Sequence, residues 1–127
     1  MAEQGAPEAQ KGRVAVASSD GVHVDLHFGK AHQFYLYDIS GAEPRRLGVR
    51  IAERACIGKG HDAGRLADTI ERLSDCQYLV VAKIGAGAAN LAEGAGLAPY
   101  ELPGTIEESL EKLSQYIQLN ELLEKGF

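Results

Sequence analysis

The chain has 127 residues, 45% of them hydrophobic and 24% charged, so it can bury one core and scarcely two, and a single domain is expected. A net charge of -5, with no basic cluster larger than the pair Arg45-Arg46, argues against a nucleic-acid backbone or an anionic membrane as the main partner. Residues 1–12 hold no apolar leader, and the most apolar stretch, Tyr78 to Ala92, is broken by Lys83, Gly85 and Gly87. A cytoplasmic, reducing setting is therefore expected, in which Cys56 and Cys76 read as core filler or ligand and not as a disulfide framework.

The first twelve residues, rich in Ala, Glu, Gln, Gly and Pro, read as a flexible tail. Arg13 to Ser18 is short, apolar and β-branched, as expected of a central strand covered on both faces. Asp20-Gly21 then signals a hairpin, because a two-residue turn needs positive φ at its centre. From Asp20 to Lys30 apolar and polar residues alternate, with Val22, Val24, Leu26 and Phe28 on one face and His23, Asp25 and His27 on the other. This stretch is expected to be the return arm of the hairpin or the loop it feeds. Two readings of its polar face stand side by side, a half-site for a metal and an ordinary solvated strand face.

Gln33 to Ile39 is aromatic-rich and strand-like, Ser40 to Pro44 is a turn, and Leu47 to Ala52 predicts a third strand antiparallel to the second. Glu53 to Gly60 lacks periodicity and reads as a loop. Asp62 can cap a helix running to about Leu73, with Leu66, Ile70 and Leu73 on its apolar face. Cys76 to Ala82 reads as a buried strand reached through that helix and hence parallel to a neighbour. A glycine turn, Ile84 to Gly87, leads into a second helix over Ala88 to Ala95, and Ala98 to Leu102 suits an edge strand because it contains Pro99. Thr105 to Glu108 fits a capping box that opens a third helix with Ile106, Leu110, Leu113 and Ile117 on one face. Leu119, Leu122 and Leu123 are expected to extend that face into a mobile or partner-bound tail. The sum is an α/β layered domain with a mixed five-stranded sheet flanked by helices.

Four groups are candidates for chemistry. His27-Phe28-Gly29 joins a ligand-capable imidazole to an aromatic anchor and a glycine that allows close approach. His32 follows at the entry to the next strand; both histidines also fit as ordinary surface residues. Cys56 and His61 share a glycine-containing loop, where thiolate and imidazole would suit iron, copper or a sulfur-bridged cluster, although without a CxxC pair the spacing does not describe a closed zinc site. Gly85 and Gly87 lie between a strand and a helix, where free amides favour an anion; a plain tight turn is the alternative, and the glycine spacing is not that of a dinucleotide fingerprint. No serine or cysteine stands in an activating motif, so a non-enzyme is expected.

Val14-Ala15-Val16-Ala17, Asp20-Gly21, His27-Phe28-Gly29-Lys30-Ala31 and Phe34 to Asp38 together resemble the dinitrogenase iron-molybdenum cofactor biosynthesis family, which includes NifX- and NafY-type carriers and the C-terminal domain of NifB. Gly60-His61-Asp62, Arg65-Leu66-Ala67, Asp75-Cys76, Val80 to Gly85 and Gly94 to Pro99 agree, so the likeness covers about residues 13–115. The resemblance implies a ribonuclease H-like three-layer fold without nuclease activity, binding an iron-sulfur or iron-molybdenum cofactor or its precursor. It places the suspected cluster-ligand histidine on His27, and the Cys56 to His61 loop matches a segment that is more variable in the family; Cys56, His61 and, from its residue type alone, His32 are the auxiliary metal-ligand candidates. The segment 116–127 is expected to be a helical extension like that of the NifX type, which favours a stand-alone carrier serving a cofactor-assembly scaffold or apo-nitrogenase, as a monomer or weak homo-oligomer. The alternative is a non-catalytic interaction or regulatory module of the same fold that binds protein or another metal species.

Overall fold

The structure, a computed structural model, describes residues 11–52 and 63–124. Along the chain these form β1 (Arg13–Ala17), β2 (His23–Val24), a 3-10 turn at Phe28–Lys30, β3 (Gln33–Asp38), β4 (Arg45–Ile51), α1 (Ala63–Arg72), β5 (Tyr78–Val81), α2 (Ala86–Gly94), β6 (Ala98–Glu101), β7 (Gly104–Thr105) and α3 (Ile106–Glu124). The main sheet has five strands in the order β4-β3-β1-β5-β6, and β2 pairs separately with β7. β1 lies antiparallel to β3 and parallel to β5, which makes the sheet mixed, as expected.

Alternation along β1 explains the layering. Ala15 and Ala17 face a core built with Phe34, Leu36, Leu79 and Val81 against Leu66 and Ile70 of α1, Leu73 just past its end, and Ala92 of α2. Val14 and Val16 face the opposite core, with Tyr37 and Val80 against Ile106, Leu110 and Leu113 of α3. A strand covered on both sides must be apolar at consecutive positions, and Val14, Ala15, Val16 and Ala17 are all fully buried. Helices on both faces of one sheet give three layers. The Thr105 hydroxyl accepts the Glu108 amide at 3.1 Å, so the threonine half of the capping box starts α3.

Three expectations are corrected. Asp20-Gly21 does not close a hairpin on β1, because both edges of β1 are already occupied by β3 and β5; the chain leaves the sheet, and His23–Val24 pairs with Gly104–Thr105 instead. α2 begins at Ala86 and not Ala88, since Gly85 adopts extended φ/ψ as its N-cap and the helix needs no further residue to start. Leu119, Leu122 and Leu123 do not extend the buried face of α3: they are more than half exposed. α3 crosses residue 116 without a break.

Candidate functional site

The chain runs from β1 to β3 and β4 on one side of the sheet, then returns to β5 and β6 on the other. The direction of strand addition reverses between β1 and β5, and a crevice outside the carboxyl ends of such strands is where open α/β sheets place ligands. The segment after β1 fills the approach to that point. The Asp20 carboxylate accepts the amides of Val22 at 2.9 Å and His23 at 2.8 Å, and Gly21, at φ +77°, sits where an added Cβ would lie 3.0 Å from the Tyr35 ring. Asp25 accepts the Ser19 amide at 2.9 Å and its hydroxyl at 2.5 Å, while the Gln33 side chain donates to the Ser18 and Ser19 carbonyls. These bonds turn the chain back on itself.

Leu26 to Phe28 consequently runs beside the end of β5. The Ala82 amide donates to Leu26 at 3.0 Å, the Phe28 amide donates to Lys83 at 2.8 Å, and His27 and Lys83 form a parallel bridge. Phe28 anchors the segment: it is 1% exposed, and its ring centroid lies 6.2 Å from that of Phe34. His27, between half-buried Leu26 and buried Phe28, is exposed at the rim. Among the described residues no hydrogen bond reaches its ring. Gly29 continues into the 3-10 turn with negative φ, so the backbone conformation does not require a glycine there.

Two residues beyond Lys83 the chain enters α2. Gly85 has φ -72° and Gly87 is helical, so neither position needs glycine for its backbone, and a Cβ at either would meet nothing within 4 Å. Among the described residues no side chain caps α2, and no acidic residue occupies its first turn. Its first-turn amides and the positive end of its dipole are therefore open at the edge that carries His27, an arrangement suited to an anion. Glu101, at the end of β6, accepts the adjacent Ile84 amide at 2.8 Å.

His32 stands at the start of β3 on this same edge, and its carbonyl accepts the Ala52 amide at 3.0 Å. Its Nδ1 is buried without a partner among the described residues, which leaves a lone pair or proton unsatisfied. Cys56 and His61 lie outside the described residues. His23 and Asp25 do not join His27. The His23 Nδ1 lies 2.9 Å from Asp20, whose carboxylate raises the imidazole above its ordinary value while the hydrogen bonds from His23 hold Asp20 well below the carboxylate range. Among the described residues no three His, Cys, Asp or Glu side chains gather to hold a metal ion. Cys76 is core, its thiol pushed up to about 12 mainly by burial.

Sequence reasoning missed Glu101, Lys83 and Gln33 as parts of this edge. Each acts across a long stretch of chain, and the Glu101 contact to Ile84 spans 17 residues, so no local spacing signals it.

The structure thus defines a small three-layer α/β domain that has, among the described residues, an exposed histidine and uncapped helix amides at the carboxyl edge of its parallel strands. The chain belongs to the dinitrogenase iron-molybdenum cofactor family, whose model matches residues 10–116. It is 35% identical over 103 residues to the FeMo cofactor biosynthesis protein NifB of Frankia alni, covering 79% of this chain and 20% of that protein. It is 33% identical over 97 residues to protein NifX of Rhodobacter capsulatus, covering 74% of this chain and 61% of that one. The chain therefore spans about a fifth of the length of the NifB relative and less than two thirds of NifX. The crystal structure of PH0822 shares the fold, with a TM-score of 0.59 at 23% identity, over 80% of this chain and 88% of that one. The NMR structure of TM1290, a NifB candidate from Thermotoga placed in the DUF35 family, does so with a TM-score of 0.52 at 22% identity, over 82% and 88%. No helix among the described residues is long and apolar enough to cross a membrane.

Proposed function

We propose that this domain is a non-catalytic carrier in nitrogenase cofactor assembly, whose cargo is an iron-sulfur or iron-molybdenum cofactor or its precursor. The observation that supports this most is the position of His27, exposed beside Lys83 at the carboxyl edge of β5, in a chain of the iron-molybdenum cofactor family. In this reading His27 ligates a metal of the cargo through its free imidazole. The open amides at Gly85 and Gly87 face the negative charge of the cluster, where glycine allows a bulky ligand to approach the backbone. His32 is an auxiliary ligand in this reading, and Cys56 and His61, which lie outside the described residues, are further candidate ligands by residue type. Few protein ligands suit a carrier that must hand its cargo on to an assembly scaffold or apo-nitrogenase in the cytoplasm. The strand order and three layers support the ribonuclease H-like arrangement that the resemblance implies.

Mixing apo-protein with cofactor anaerobically and following iron through a sizing column tests the reading. Co-elution with the wild type and its loss in His27→Ala is the expected result. Retention of iron by His27→Ala equal to wild type overturns the role of that residue. A second reading is a non-catalytic interaction or regulatory module of the same fold that binds protein or another metal species. Persistent absence of iron and molybdenum from protein purified anaerobically from its own host would select it.

A further inference from the structure

The run from Leu79 to Ile84 is apolar except for Lys83. Leu79, Val80 and Val81 are fully buried, and a cation at the end of such a run is tolerated because its long stem carries the ammonium into water, where Lys83 is exposed. It does not reach an acid of this chain. With 18 acidic residues against 13 lysines and arginines, carboxylates are in surplus, yet among the described residues Lys83 makes no ion pair. The strand arginines differ: Arg13 and Arg50 bind Asp75, Arg45 binds Asp38, and Arg46 donates to the Tyr37 hydroxyl and the Gly21 carbonyl. Glu101 accepts the Ile84 amide instead.

The backbone sets this lysine beside His27. The two are partners in the parallel bridge, held by the Ala82 amide on Leu26 and the Phe28 amide on Lys83. Leu26 and Phe28, on either side of His27, and Ile84, next to Lys83, all pack into the core under α1 and α2. Side chains alternate along extended chain, so the two partners turn out of that core together, their strands about 5 Å apart. An imidazole without a hydrogen bond and an ammonium without a counter-ion thus stand side by side among the described residues.

We propose that Lys83 is the charge-selecting residue of this edge. It pairs with the negative charge of a cargo whose metal His27 ligates, and it repels bare metal cations from the same imidazole, so the edge takes metal clusters as anions and refuses free divalent metal. The inference rests on the carrier reading and adds to it the residue that reads the charge of the cargo.

The test uses the full chain under anaerobic conditions with two probes, isolated iron-molybdenum cofactor and Fe2+ alone. Cofactor retention on a sizing column is followed against protein concentration, and Fe2+ binding is read from broadening of the His27 ring resonances by NMR. A single exposed charge pair is worth up to ~5-fold, so Lys83→Gln should raise the protein concentration for half-retention ~5-fold at low salt. That difference should shrink toward ~1 M salt, where charges are screened within about 3 Å. Fe2+ should broaden His27 at a lower concentration in Lys83→Gln than in the wild type. Lys83→Arg should match the wild type, and Lys112→Gln, the same loss of charge on α3, should change neither readout. Cofactor retention by Lys83→Gln equal to wild type overturns the inference and leaves the carrier reading standing. Weaker binding of both probes also overturns it, because Lys83 then acts by positioning His27 and not by charge. A wild type that retains no iron overturns the carrier reading and the inference with it.

Discussion

The two ends of the paired strands β1 and β5 are built on opposite terms. At their amino ends the polar groups are tied: Asp75 accepts Arg13 at 2.8 Å and Arg50 at 2.7 Å, the Gln77 side chain accepts the Gly12 amide, and the Gln77 amide donates to Arg13. At their carboxyl ends, among the described residues, the helix that follows β5 has no side-chain cap, the His27 ring has no hydrogen-bond partner, and His32 Nδ1 is buried unpaired. The first end is arranged for stability. The second leaves donors and lone pairs unused among the described residues, at a cost, and under the carrier reading it is the edge that takes the cargo.

The largest expected effect tests whether the open edge still depends on the core beneath it. Phe28→Ala should cost about 3–5 kcal/mol, read from urea unfolding, because it removes a ring packed among core residues, and it should release His27 from its rim position. Asp75→Asn breaks the tied end. Its carboxylate, held at about 2 mainly by Arg50, contributes stability that is present above the ordinary carboxylate value of 3.8 and lost as pH falls through about 2. The substitution should therefore cost about 1–2 kcal/mol at neutral pH, allowing for the solvent that still reaches the pair, and the difference from wild type should shrink between pH 4 and pH 2.

Gly87→Ala sharpens the contrast by moving stability and binding in opposite directions. With negative φ and open space around the position, alanine should raise stability by up to about 1 kcal/mol through helix propensity. Under the carrier reading it should also reduce cofactor co-elution. Gain of both stability and retention would remove the α2 amides from the site. The smallest effect is at the exposed turn. His23 should titrate above its ordinary 6.5 by NMR, and Asp20→Asn should return it there; the pair's contribution is complete below 6.5 and lost as pH rises through the raised value.

Much of the fold was legible because its signals are local. The consecutive apolar run Val14 to Ala17 identified the central strand, the Leu66/Ile70/Leu73 spacing identified α1, and Thr105 marked the start of α3 within a residue. The Asp20-Gly21 turn was also legible, but its consequence was not. A dipeptide specifies positive φ, and whether the next segment returns onto β1 depends on which strands already occupy its edges. The same limit applies to Leu119, whose apolar character was evident while its exposure became clear only with α3 in place.

The sequence by itself determined most of the elements and the mixed five-stranded sheet, since hydrophobic period and turn chemistry act over a few residues. Only the tertiary structure decided that His27 stands against Lys83, that Glu101 holds the Ile84 amide, and that His23 and Asp25 serve the turn around Asp20 and Ser19. Those pairings join segments far apart along the chain or depend on which backbone groups the sheet has already used. Such choices are made by the closure of the core around β1.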